Sequence, residues 1–141
     1  MEDTLSVCPQ CEAINRVNAV QAKSKAPTCG KCGTELRLHG LASDVSASGL
    51  KKLIAKSDRP VIVDFWASWC GPCKMYSPTF ERASLNIHDA VFVKVDTEKY
   101  PELSNELGIR GIPTTIVYRD GREFRRESGV IPEEMIPQLL R

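Results

Sequence analysis

The sequence predicts an α/β fold, a mixed central sheet with helices on both faces, preceded by a small cysteine-rich module. Three observations predict it. From Ser46 onward, helix-like and strand-like stretches alternate. All nine aromatic residues lie between Phe65 and Phe124, and residues 1–38 contain none. Four of the six cysteines fall within that aromatic-free segment.

A chain of 141 residues has room for one ordinary domain and an appendage, not for two full-sized cores. Residues 1–38 lack the apolar bulk to offset their chain entropy and need another source of stability. Residues 39–141 can build a core. The predicted division is therefore 1–38 and 39–141, with the stretch from Arg37 to Ser46 as the join.

Taken in order, Ser46 to Lys56 reads as a helix, with Leu50, Leu53 and Ile54 on one face and a Ser cap. Pro60 then opens Val61–Trp66, a nearly continuous apolar run of buried-strand type. A helix is expected from about Gly71 to Asn86, kinked at Pro78. Val91 to Val95 is a second β-branched strand, and Pro101 to Leu107 a short helix with Gly108 just beyond its end. Thr114–Tyr118 and Glu123–Glu127 flank Asp120 and Gly121, a hairpin signal. Pro132, with Glu133 and Glu134 in the first turn, opens a final helix.

Composition narrows the function classes. Charged residues make up 26% and hydrophobic residues 42%, the balance of a folded, soluble chain. A net charge of +1 gives no global attraction to nucleic acid or anionic lipid. The apolar run around Val61–Ala67 is interrupted by Asp64 and is too short to cross a bilayer. The start Met1-Glu2-Asp3 lacks the basic and apolar regions of a signal peptide, so a cytoplasmic location is expected. Thiols are kept reduced there, which favours metal ligands or redox catalysts over structural disulfides.

Trp69-Cys70-Gly71-Pro72-Cys73-Lys74 directly follows the first apolar strand and opens the next helix. A helix N-terminus offers free N–H groups and the positive end of the dipole, which favour a thiolate. Two intervening residues hold two sulfurs within bonding reach. Cys70, nearer the helix start, is expected to be the more acidic and more exposed thiol. It would attack a disulfide, and Cys73 would resolve the mixed disulfide. Asp64, an acid inside an apolar strand, is expected to hold a raised pKa and to serve as a proton acceptor; a buried acid without catalytic work is the alternative.

These residues resemble the thioredoxin family over roughly residues 45 to 141. Trp69–Lys74 looks like its active site, and Val63–Ala67 like the strand leading there. Ile109-Arg110-Gly111-Ile112-Pro113-Thr114 looks like the loop carrying its cis-proline, and Gly129 matches its late glycine. The resemblance implies a thioredoxin-like fold and assigns roles. Asp64 would be the carboxylate beneath the redox pair, and Lys94 its neighbouring lysine, or else a stem packed along the sheet edge. Pro113 would be cis, facing Cys70 and leaving the backbone of Ile112 free for an extended substrate. Trp69, Gly71, Pro72 and Gly129 would complete the substrate-binding surface. Ser68 stands where many members carry proline. The family likeness also implies reduction of oxidised cytosolic proteins and recycling by a flavin-dependent thioredoxin reductase.

Cys8-Pro9-Gln10-Cys11 and Cys29-Gly30-Lys31-Cys32 are two C-x-x-C knuckles separated by seventeen residues, a zinc-site spacing. Cys8, Cys11, Cys29 and Cys32 would close a tetrahedral, structural site in a zinc-ribbon-like module, the metal replacing a missing core. Gly30 and Gly33 let the backbone curl toward the ion. An iron–sulfur cluster or two disulfides are the competing readings. A nucleic-acid finger is disfavoured: residues 1–38 have no aromatic and five basic against four acidic residues. His39 and His88 fit neither cysteine cluster and are expected at the surface. With these knuckles the chain resembles the zinc-containing bacterial branch of the thioredoxin family. No bound organic cofactor is expected, and a monomer is expected. A redox-sensing or docking role for the module, and a chaperone-like activity independent of the cysteines, remain alternatives.

Overall fold

A computed structural model describes residues 3–22 and 24–141. Eight strands and five helices are assigned among them: β1 (Asp3–Val7), β2 (Ile14–Asn18), α1 (Ala19–Ala22), β3 (Leu38–His39), β4 (Ala42–Asp44), α2 (Ala47–Lys56), β5 (Val61–Trp66), α3 (Gly71–Asn86), β6 (Val91–Asp96), α4 (Pro101–Glu106), β7 (Thr114–Arg119), β8 (Arg122–Ser128) and α5 (Met135–Leu139). None of the helices in the described residues is long and apolar enough to cross a membrane.

Six strands form one sheet in the order β3-β4-β6-β5-β7-β8. β4, β6 and β5 run parallel; β3, β7 and β8 are antiparallel to their neighbours. The sheet is mixed, as expected. Alternation along the strands sends side chains to opposite faces. Val61, Val63 and Phe65 of β5 pack with Leu50 and Leu53 of α2 and Leu103 of α4. Ile62 and Phe92 pack on the other face with Tyr76, Phe80 and Ala83 of α3 and Ile136 and Leu139 of α5. Asp64 and Lys94, in step with Ile62 and Phe92, therefore fall on the α3 face and stand opposite each other in the β5–β6 register.

The expected Ser cap is present: Ser46 Oγ accepts from Gly49 N at 3.0 Å. Asp120 (φ 54°) and Gly121 (φ 79°) make the tight β7–β8 turn. Pro78 stands inside α3, which continues through it. The last helix differs from expectation: Glu133 and Glu134 form a turn and α5 begins at Met135.

The larger departures lie near the N-terminus. The predicted join, Arg37 to Ser46, carries β3 and β4, the latter parallel to β6 inside the sheet. Gly40 turns between them at φ +64°, and a Cβ there would meet the Glu81 carbonyl of α3 at 2.5 Å. Residues 1–38 have too little apolar surface to offset their own chain entropy and need another source of stability. Yet Leu5 and Val7 of β1 are buried in the same cluster as Leu50 and Leu53. Gly49 permits this approach, since a Cβ there would come within 3.3 Å of Val7 Cγ1. Two-residue and three-residue strands carry no readable period, and burial of β1 depends on a partner distant in sequence.

Candidate active site and four-cysteine centre

Cys70 is the N-cap of α3, with Gly71 and Pro72 in its first turn. Proline suits that position because its missing N–H would be unpaired there anyway. Cys70 and Cys73 form a disulfide with Cα atoms 5.3 Å apart. The Cys73 backbone N–H points at Cys70 Sγ, 3.1 Å away. A helix-terminal N–H on this sulfur stabilises the negative charge it carries when the disulfide opens. The expected difference in exposure is nearly absent in this oxidised state: Cys70 is 3% and Cys73 2% exposed. Ala67, Trp66 and Ile112 pack around the pair and account for its burial.

The Ile112–Pro113 peptide is cis. It places the Ile112 carbonyl oxygen 3.5 Å from Cys70 Sγ. Gly129, at φ +89°, donates its N–H to the Pro113 carbonyl at 2.8 Å, which ties the end of β8 to this loop. Trp69 is 70% exposed beside the disulfide. Cys70, Cys73, Trp69, Ile112, Pro113 and Gly129 are thus gathered at one end of the sheet. Ser68 donates from both its N–H and its hydroxyl to Glu98, at 3.1 and 2.6 Å, fastening the loop before Cys70. Glu98 carried no sequence signal of its own.

Asp64 is fully buried and neither carboxylate oxygen accepts a hydrogen bond from the described residues. Burial raises its pKa to about 7; the nearby Lys94 charge opposes this and Glu81 adds to it. Lys94 lies on an interior strand, so the sheet-edge alternative is corrected. Its Nζ is 3.9 Å from Asp64 but 2.9 Å from Glu81 Oε2, and it donates to Ser77 Oγ at 3.0 Å. Neither Glu81 nor Ser77 was singled out from sequence. The signal was available: Cys73, Ser77 and Glu81 recur every four residues, along one stripe of α3. Thr115, opposite Asp64 in the β5–β7 register, bonds through its Oγ1 to the Tyr76 hydroxyl at 2.9 Å.

The sulfurs of Cys8, Cys11, Cys29 and Cys32 all lie within 4.8 Å of one another. Cys8 to Cys32 is 3.6 Å and Cys11 to Cys29 is 3.7 Å. Sulfurs bound tetrahedrally at about 2.3 Å would stand ~3.8 Å apart, so the donor set fits one four-coordinate ion. Backbone N–H groups aim at the sulfurs, from Gln10 to Cys8 and from Lys31 to Cys29, each at 3.4 Å. Hydrogen bonds from the Cys32 backbone N–H, Asn15 and Lys31 favour the thiolate of Cys29. The two knuckles share one backbone plan. Glu12 N bonds to Cys8 O and Gly33 N to Cys29 O; both residues are left-handed, at φ +62° and +78°. Glu12 takes a conformation that glycine adopts freely. Its carboxylate accepts from Ser46 and Ser48 at the start of α2, at 2.7 and 2.6 Å. His39 pairs with Asp44 and His88 with the Leu85 carbonyl, so both lie apart from the cysteine centres, as expected.

A family model described as Thioredoxin matches residues 42–141. Thioredoxin C-3 of Corynebacterium nephridii is 38% identical over 134 residues, covering 95% of this chain and 91% of the relative, so the likeness extends into the four-cysteine segment. Thioredoxin 1 of a Nostoc species is 36% identical over 100 residues, covering 70% of this chain and 94% of that one. Among solved structures, a mutant thioredoxin from Halobacterium salinarum aligns with a TM-score of 0.66 at 28% identity, covering 74% of this chain and 91% of that chain.

Proposed function

Since the chain belongs to the thioredoxin family, whose members are thiol–disulfide oxidoreductases, we propose that it reduces protein disulfides through Cys70 and Cys73 and is returned to the dithiol by a thioredoxin reductase drawing on NADPH. The observation that carries this reading is the Cys70–Cys73 pair capping α3 with the Cys73 N–H on Cys70 Sγ.

In the reduced protein the Cys70 thiolate attacks one sulfur of a substrate disulfide. That S–S bond breaks, a Cys70–substrate bond forms, and the other substrate sulfur leaves as thiolate. Asp64 takes the proton of Cys73, its raised pKa making it a base matched to a thiol near neutral pH. The Cys73 thiolate then attacks Cys70 Sγ. The substrate's second sulfur leaves, and two electrons have passed to the substrate, leaving the Cys70–Cys73 disulfide. Trp69, Gly71, Pro72, Ile112, Pro113 and Gly129 form the surface on which an extended substrate segment lies.

We assign one zinc ion to Cys8, Cys11, Cys29 and Cys32. Four thiolates leave no open coordination position, so the ion holds the two knuckles together and takes no part in electron transfer.

The deciding experiment is insulin reduction by the purified, zinc-loaded protein with thioredoxin reductase and NADPH. Turnover by the wild type and none by Cys70→Ser is expected. Equal turnover by both proteins would remove the assignment.

A further inference from the structure

Lys94 and Asp64 are paired across β5 and β6, yet the lysine charge is shared, with its nearer contacts on α3. Its ammonium lies 2.9 Å from Glu81 and 3.0 Å from Ser77, both one turn apart on α3, and 3.9 Å from Asp64. Both Asp64 oxygens are without a donor among the described residues, and the side chain is fully buried. An ionised carboxylate there has the ammonium at 3.9 Å but no hydrogen bond to offset its burial, whereas a protonated one needs far less. Glu81, partly exposed at the helix surface, reaches inward to hold the lysine from outside.

We propose that Glu81 is a positioning residue of the redox centre: by anchoring Lys94 away from Asp64, it keeps the aspartate protonated to higher pH and so sets the pH range in which Asp64 can serve Cys73. Two effects act in the same direction. Glu81 draws the ammonium off, and its own negative charge disfavours a second one nearby. The groups set against Asp64 are Lys94 from β6, Glu81 and Tyr76 from α3, and the uncharged Thr115 from β7, with Cys73 the thiol assigned to it above. Glu81 is the carboxylate among them, and removing its charge lets Lys94 close on Asp64. The inference rests on the assigned role of Asp64 as proton acceptor.

The test uses the oxidised full-length protein, in which neither active-site thiol titrates. The carboxyl carbon of Asp64 is followed by NMR as pH is raised, in wild type, Glu81→Gln, Glu81→Asp and Lys94→Gln. Glu81→Gln should make Asp64 at least about tenfold more acidic. Glu81→Asp, which keeps the charge, should stay within about threefold of wild type. Lys94→Gln should move the midpoint the opposite way, an opposition that loss of packing would not produce. In the reduced protein, the acid limb of the Cys73-dependent resolving rate should follow the Glu81→Gln midpoint downward. A midpoint that stays in place in Glu81→Gln, or a shifted midpoint with an unshifted rate limb, overturns the proposal. Wild-type insulin turnover is measured alongside. Its absence with the expected Asp64 shifts would remove the reductase reading and leave the control of Asp64 by Glu81 standing.

Discussion

Replacing Asp64 by Asn should stabilise the protein at alkaline pH and lose that advantage in acid. The reason is linkage. Burial raises the Asp64 pKa from an ordinary 3.8 to about 7, so between these values the folded protein holds a proton that the unfolded chain has released. Stability must fall as pH climbs through that window. Below it both states are protonated, and above it both are ionised with the full penalty in place. At about 1.4 kcal/mol for each tenfold change in proton affinity, the penalty is roughly 4 kcal/mol above neutrality. Asn carries no charge and escapes it, though its buried amide brings a pH-independent cost of about 1–3 kcal/mol if unpaired. That cost cancels in the comparison between pH values. The assay is urea unfolding of oxidised wild type and Asp64→Asn, with zinc held saturating, at about pH 4 and about pH 8.5. The gap between variant and wild type should widen by roughly 4 kcal/mol in favour of Asn on going to the higher pH. A gap that does not change with pH would refute the reasoning, because Asp64 would then not carry a raised pKa.

Cys73→Ser should accumulate a covalent adduct between Cys70 and substrate, visible by mass spectrometry and released by dithiothreitol, because resolution needs the second sulfur. Chelation under reducing conditions should remove one zinc per chain and raise amide exchange in β1 and β2; unchanged exchange would count against a structural ion. Glu12→Ala should lower stability by about 1–2 kcal/mol through loss of the bonds to Ser46 and Ser48, with Glu12→Gly less damaging by up to ~1 kcal/mol because φ +62° suits glycine. Denaturant unfolding of the two variants ranks them, and the reverse order would contradict the strain argument. Gly40→Ala should cost about 2 kcal/mol or more in the same assay, since the methyl would press on the Glu81 carbonyl of α3 from a left-handed residue.

What was legible in the sequence was local. Val61–Trp66 is a run of apolar residues long enough to declare a buried strand, and the one acid within it drew attention to Asp64. The C-x-x-C spacings carry their chemistry in four residues, and Asp120-Gly121 demands its turn conformation. What escaped depends on distance along the chain. β4 is three residues long and exists because β6, some fifty residues later, offers it a ladder. Glu81 reads as an ordinary charge on a helix surface until folding sets Lys94 opposite it. Glu12 looks like a loop residue, and only the return of α2 against the first knuckle shows what its carboxylate does. Its place at the helix start predicts Cys70 to be the more exposed thiol, whereas Trp66 and Ile112 pack around both sulfurs in the oxidised state.

Leu5 and Val7 give the N-terminal segment a consequence for the chain's history. A module strung on by a linker can be gained or lost by a single recombination event without harm to its neighbour. This one is built into its neighbour: β1 supplies apolar side chains to the cluster that also holds Leu50 and Leu53, and the Arg59 guanidinium donates to the Asp3 carbonyl. Loss of residues 1–38 would therefore uncover apolar side chains of that cluster which Leu5 and Val7 cover. The segment that carries one cysteine centre thus lends side chains to the core beneath the sheet that carries the other.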